Sequence, residues 1–441
     1  MRRGGNAVDA AVTCAFVQGV IDPQMCGLGG CGAMLVHNPQ GGETLLEFYA
    51  TAGSRAREDQ WESLFIREAA DRYGYVLDGW VNDVGYQSVA VPGTVAGLHD
   101  ALTRFGTISW EEAIEPAIPL ARDGFPVTGF VHGYWTTDYG PDVVPNLQRY
   151  QVNVTEPIRG TYRGLQVAAA GPPAGGLTLL QMLNFLEGFD LGAHGWPSTD
   201  AARLLVEAMA WAVADRDLHI ADPRFVAITT GALADKQYAA KAREVIASGV
   251  RAHDRPDTTQ VCVVDDGGNA VSLSHTLGSA SGVVTPGLGF GYNDYMNCFD
   301  PRPGRPNSVL PGKTRVTMMT PTMVFDGRKL RVCIGAPGGT KIVTGILQVL
   351  VNVLDHDMSP VEAVSAPRVD FQGDVVQAEA RIPRPVCDGL ERLGYTVNRR
   401  TLNYDSYFAR PQVIVAEPDG FLSGASDPRK DGGAAFDTAT K

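Results

Sequence analysis

One stretch constrains the fold of this chain more than any other: Asp257-Thr258-Thr259-Gln260-Val261-Cys262-Val263-Val264, then Asp265-Asp266-Gly267-Gly268-Asn269, then Ala270-Val271-Ser272-Leu273-Ser274-His275-Thr276. Two β-rich runs flank an Asp/Gly/Asn cluster, which is the pattern of a β-hairpin. With the turn centred on Gly267, the register sets Val264 against Ala270, Cys262 against Ser272, Gln260 against Ser274 and Thr258 against Thr276. Opposed residues share one face of a sheet with Cβ atoms about 4.5 to 5.5 Å apart, so two threonine hydroxyls stand side by side at the open end. Paired threonines are also common in ordinary sheets, and spacing alone gives them no chemistry.

The rest of the chain limits what such a hairpin can belong to. At 441 residues, 44% hydrophobic and 20% charged, it has enough apolar material for a large core, as two domains or one large α/β unit. A net charge of −12 without a dense Lys/Arg run argues against a nucleic-acid or anionic membrane partner. No apolar run is long enough to span a bilayer: Leu347 to Leu354 is too short, and Ala168 to Leu183 is broken by Pro and Gly. Met1-Arg2-Arg3 leads straight into Gly4-Gly5-Asn6-Ala7, with no apolar leader, so a cytoplasmic protein is expected. The seven cysteines form no CxxC pair, which suits a reduced compartment, and the eight histidines show no HExxH spacing; neither a metal nor another cofactor is expected.

Along the chain, an Ala/Val-rich segment from Gly4 to about Val20 reads as a buried helix stopped by Asp22-Pro23. Cys26-Gly27-Leu28-Gly29-Gly30-Cys31-Gly32 formally contains GxGxxG. A helix precedes it and a strand, Ala33 to His37, follows, the reverse of a dinucleotide site; its glycines instead suit close backbone packing. Helices are expected from Val91-Pro92-Gly93 through Arg104, from a Ser109 cap to Arg122-Asp123, from Gly175-Gly176 through Leu186, and from a Ser198 cap to about Arg216. Arg251 to Asp257 has the polar character of an exposed linker. A second hairpin, Met319 to Phe325 and Lys329 to Ile334, runs into Gly335-Ala336-Pro337-Gly338-Gly339-Thr340 and a helix from Lys341 to Leu354. Glycines at such a junction leave backbone N–H groups aimed at one spot, where the helix end favours negative charge. That arrangement suits an oxyanion hole.

Asp257-Thr258-Thr259, followed by Val261-Cys262-Val263-Val264-Asp265 and then Asn269-Ala270-Val271, closely resembles the processing site of the γ-glutamyltranspeptidase family of N-terminal nucleophile hydrolases. Further matches lie at Cys26–Gly32, Val91–Gly97, Ser109–Phe125, Ala170–Gly176, Gly335–Thr340 and Gly424–Arg429, in the family's order. The resemblance implies an α/β fold, a four-layer αββα sandwich of antiparallel sheets covered by helices. It implies a cut between Asp257 and Thr258, leaving residues 1–257 as a large part and 258–441 as a small part that stay associated as one structural unit. Thr258 is then the nucleophile, its freed α-amine of pKa about 7.7 to 8.0 the base. Thr276 orients it, and Gly338 with Gly339 holds the oxyanion. The implied substrate is a small-molecule amide; homo-oligomerisation is left open.

The departures from the family pattern carry as much information. Tyr49 stands where the family has an arginine for the substrate α-carboxylate, and Thr317-Met318 where it has a serine pair. On the amine side Gly278 replaces an Asn, and Tyr295 and Cys298 replace a Gln and an Asp; Gln260 takes the place of a His. Each lost charged hydrogen bond removes about 1.5 to 3 kcal/mol, so the expected acyl group is not γ-glutamyl but a less charged one, aromatic or small. Tyr49, Tyr295, Cys298 and Met318 would line its pocket. The competing expectations are a true γ-glutamyltransferase or glutathione hydrolase that grips glutamate by other residues, and an unprocessed, non-catalytic member. The chain also begins inside the family's first helix and lacks a helical block between Asn146 and Leu147, as a compact variant or an incomplete chain would.

Overall fold

In the computed structural model the central hairpin forms in the expected register: Gln260 pairs with Ser274, Cys262 with Ser272 and Val264 with Ala270. The structure describes residues 1, 4–69, 74–128, 131, 153–245, 258–284, 287, 289–417 and 419–436. The expected linker Arg251–Asp257 and the Asn146–Leu147 junction lie outside the described residues. The ladder starts at Thr259 opposite His275, so Thr258 stands one residue beyond its end.

The strands of the two main sheets are β1 (Cys31–Asn38), β2 (Gly42–Phe48), β3 (Asn153–Thr155), β4 (Ile158–Tyr162), β5 (Leu165–Ala169), β6 (Thr259–Val264), β7 (Ala270–Thr276), β8 (Thr322–Asp326), β9 (Lys329–Gly335), β10 (Gln412–Ala416) and β11 (Leu422–Ser426). One sheet has the order β3-β2-β1-β7-β6 and the other β11-β10-β9-β8-β5-β4. All their pairings are antiparallel. In each sheet a block of strands from before position 258 is hydrogen-bonded to a block from after it, at β1–β7 in one and β5–β8 in the other.

Period-2 alternation sorts each strand's side chains onto two faces. Ala33 and Leu35 of β1, with Leu45 of β2, meet Met323, Phe325 and Cys333 of the other sheet in a core between the sheets. Met34 and Val36, on the opposite face of β1, pack against the helices α1 (Ala7–Ile21) and α2 (Thr94–Phe105). Beyond the second sheet, Val324, Val332 and Ile334 pack on α5 (Gly176–Leu186), α6 (Thr199–His219) and α7 (Lys341–Leu354). The four layers are therefore helix, sheet, sheet, helix, as expected from the resemblance.

Local chemistry explains where these elements begin and end. Asn6 accepts the amides of Val8 and Asp9, while the Asp9 carboxylate accepts the Asn6 amide, a reciprocal cap that starts α1. The expected single helix after Ser109 is two, α3 (Trp110–Ile114) and α4 (Ala117–Asp123). Pro116 breaks it, because a proline ring offers no N–H to continue the ladder. The strand expected from Met319 begins at Thr322, and α6 runs past Arg216 to His219. The glycine run before β1 serves close approach: a Cβ on Gly30 would lie 2.4 Å from the Thr276 carbonyl oxygen.

Candidate active site

Strand β6 carries different chemistry on its two faces. Gln260 points between the sheets, where Ser274 Oγ donates to its Oε1 at 2.5 Å and its Nε2 donates to Ser272 Oγ at 3.0 Å. It lies against Gly335 at the end of β9, where any Cβ would strike the Gln260 amide. Thr258, two residues earlier in the chain, shares this parity. Thr259 points the other way, toward α1, and its Oγ1 donates to Asp22 Oδ2 at 3.2 Å. Thr258 and Thr276 are both buried, and Thr276 Oγ1 accepts the Gly278 amide at 2.9 Å.

Beyond Gly335 the chain turns through Gly338 and Gly339 into α7. Gly338 has φ +140° and Gly339 φ +57°, backbone states that suit glycine. A Cβ on Gly338 would lie 2.6 Å from Ala409 Cα, so the position is closed to side chains on steric grounds as well. The two carbonyls accept the Lys341 and Ile342 amides, while neither glycine N–H donates to another described residue. A pair of free amides at the head of a 14-residue helix can receive a developing negative charge.

The residues expected to hold the acyl group are not gathered in one cavity. Tyr49 lines a small one, about 30 Å³, with Glu47, Asn153, Asp222, Arg224 and Thr314. Cys298 lines another of about 340 Å³ with Tyr75, Arg216, Asp300, Arg302 and Val316. Tyr295 is buried and lines neither: its hydroxyl donates to Thr317 Oγ1 at 2.7 Å, and the Arg315 guanidinium lies 3.6 Å over its ring. Met318 is buried next to Thr317, its sulfur 3.7 Å from Arg216 Nη1. Gly278 has φ +75°, and the space a side chain would take there is filled by Asp294, whose Oδ1 is 1.9 Å from the ideal Cβ position. Asp257 lies outside the described residues.

Several charged groups here carry no signal in the sequence. Burial raises the Asp294 carboxyl to about 7, against the opposing Arg315 charge and reinforced by Asp83. Burial likewise raises Glu47 to about 7; the Asn153 amide opposes this and Asp222 adds to it. His275 is buried with Nε2 2.8 Å from Gln18 Oε1, and burial, aided by Lys430, pushes its pKa down to about 3, so the ring is neutral. Lys430 and Asp22 form an ion pair beside Thr259. The partners of His275 and Asp22 lie 257 and 408 residues away, beyond any spacing rule. Among the described residues no cluster of three or more His, Cys, Asp or Glu side chains is arranged to hold a metal, and no helix is long and apolar enough to cross a membrane.

Comparison with known proteins agrees with this architecture. The family model described as gamma-glutamyltranspeptidase matches residues 1–140 and 144–437. The Acylase ACY 1 proenzyme of Pseudomonas sp. (strain V22) is 36% identical, over 97% of this chain and 89% of the relative. The glutathione hydrolase proenzyme of Escherichia coli (strain K12) is 31% identical, over 97% of this chain and 87% of the relative. Among solved structures, the cephalosporin acylase from Bacillus halodurans superposes with a TM-score of 0.86 at 24% identity, covering 98% of this chain and 91% of that one. The chain therefore belongs to the gamma-glutamyltranspeptidase family, as a divergent member with the N-terminal nucleophile hydrolase fold and that family's general amidohydrolase and acyltransferase chemistry.

Proposed function

We propose that this protein is a self-processing threonine amidohydrolase or acyltransferase, cut between Asp257 and Thr258, that acts on an amide-linked acyl group other than γ-glutamyl. The observation that carries the reading is that Gln260, two residues after Thr258, lies against Gly335, three residues before the free glycine amides; strand alternation carried one residue beyond β6 puts Thr258 on the same face. In this mechanism the Asp257–Thr258 amide is hydrolysed first: water adds to the Asp257 carbonyl carbon, which becomes a carboxylate, and the Thr258 nitrogen is left as an amine. The amine takes the proton of the Thr258 hydroxyl as the oxygen attacks the substrate carbonyl. Gly338 and Gly339 N–H groups donate to the oxyanion, and Thr276 Oγ1, already fixed by the Gly278 amide, orients the nucleophile. The leaving amine departs protonated, and water or a second amine then releases the acyl group from Thr258.

The acyl preference rests on what surrounds Tyr49, Gly278, Tyr295, Cys298, Thr317 and Met318. Asp294 occupies the space of a side chain at 278, and Tyr295 is bound to Thr317, so these positions offer a glutamyl zwitterion no matching clamp. Two relatives named as acylases, from Pseudomonas sp. strains V22 and SE83 at 36% and 35% identity, point the same way. Mass spectrometry of the purified protein tests the first half: two fragments, with a new N-terminus at Thr258, are expected, and a single chain for Thr258→Ala. A panel of acyl-p-nitroanilides tests the second half. Turnover of γ-glutamyl-p-nitroanilide above all other members of the panel would sink the acyl assignment and leave the nucleophile untouched.

A further inference from the structure

The outer face of β6 holds a charged cluster that the mechanism above does not use. Lys430 Nζ donates to Asp22 Oδ2 at 2.5 Å and lies 3.4 Å from Thr259 Oγ1, which itself donates to the same carboxylate oxygen. The three residues come from the C-cap of α1, the first residue of β6 and the segment after β11, so sequence separation gives no hint of the meeting. The Lys430 and Asp22 side chains are 7% and 12% exposed, and Thr259 is 4% exposed. An ion pair this far from solvent is poorly screened, so its charges act on neighbouring groups.

The neighbour that matters is the nitrogen of Thr258, the residue directly before Thr259, with consecutive Cα atoms about 3.8 Å apart. We infer that Asp22 and Lys430 are positioning residues: they fix the first residue of β6 through the Thr259 hydroxyl and set the charge balance felt by the α-amine of Thr258. This rests on Thr258 being the nucleophile. The amine must be neutral to take a proton, and a lone anion beside it would hold it protonated, whereas a lone cation would do the opposite. The pair supplies both charges, with Lys430 Nζ and Thr259 Oγ1 meeting at Asp22 Oδ2. Other ionisable groups nearby are Cys26 after α1, neutral because burial raises its thiol; His275 on β7, neutral by burial; and Asp294 with Arg315 on the inter-sheet side. Arg429 is turned away from the site, bound to Glu379 and Asp427.

Trace acetylation with acetic anhydride between pH 5 and 9, read by mass spectrometry of the peptide that begins at Thr258, measures the pKa of this amine without needing a substrate. Lys430→Met leaves Asp22 alone and is expected to raise it by about one unit; Asp22→Asn leaves Lys430 alone and is expected to lower it by about one unit. Lys430→Arg, which keeps the charge, is expected to return the wild-type titration. Shifts in one common direction, or none, overturn the inference, as does a variant whose only change is early melting, since a merely structural pair gives no opposed response. If the wild-type protein yields no peptide beginning at Thr258, the nucleophile assignment itself fails, and the two failures are told apart by that single control.

Discussion

Around Thr258 the polar contacts on the inter-sheet face are made across one hairpin: Gln260 meets Ser272 and Ser274, 12 and 14 residues away. Around the acyl-side positions they are made between loops, as when the Tyr295 hydroxyl donates to Thr317 Oγ1, 22 residues on and outside any strand. The first arrangement is held by strand register, and a slip of one residue would turn Thr258 to the opposite face. The second is a set of separate side chains on loops, each replaceable without moving a strand. A family can thus keep its cleavage chemistry while its acyl preference drifts, because the two ends of the site depend on different levels of structure.

Four substitutions break or sharpen this contrast. Thr258→Ala removes the nucleophile and is expected to lower kcat by about 10,000-fold or more, with maturation abolished in the same preparation. Gly338→Ala places a methyl against Ala409 Cα and shifts one free amide; a loss of about 100- to 1,000-fold in kcat is expected, with KM little changed. Steady-state kinetics that show a KM effect alone would remove Gly338 from the oxyanion role.

On the acyl side the effects are smaller and appear in stability. Gly278→Asn tests whether the missing side chain can simply be restored. Its Cβ would fall 1.9 Å from Asp294 Oδ1, so thermal melting should reveal a loss of about 1 to 3 kcal/mol, with no gain in γ-glutamyl turnover. A stable variant that hydrolyses γ-glutamyl amides would show Asp294 to be a movable filler.

Asp294→Asn is expected to give the mildest change, visible only against pH. Burial raises this carboxyl from 3.8 to about 7, so the folded chain keeps a proton that the unfolded chain releases. Its contribution to stability is therefore complete below about pH 3.8 and is lost as pH rises through about 7. Urea midpoints should fall less steeply between about pH 4 and 7 in the variant than in the parent. Glu47, raised to about 7 from 4.5, acts in the same sense and leaves part of the slope in place. An unchanged slope would mean that Asp294 is ionised in the folded protein.

Much of the fold could be read from residue order because local rules agree with each other there. The Asp265-to-Asn269 turn set the hairpin register, and the glycine-rich segment between a helix and a strand spoke against a dinucleotide site. The second hairpin and α7 lay within three residues of their expected limits. The helix expected after Ser109 is capped by Ser109 and Glu112, but Pro116 divides it in two, a local signal present in the residue order. The acyl-side residues were named from resemblance, yet nothing in their order said that Tyr49 and Cys298 would line different cavities.

The sequence by itself determined the alternation of β6 and the glycines of the turn before α7, because each follows from residue type and a period of two; the replaced Arg, Gln and Asp at Tyr49, Tyr295 and Cys298 were legible only through the resemblance to the family. Only the tertiary structure decided that Asp22 and Lys430 meet at Thr259, that Asp294 fills the space at Gly278 and that Gln260 rests on Gly335. Those contacts join segments up to 408 residues apart, and their energies come from burial and poorly screened charge, quantities that exist only once the layers have closed.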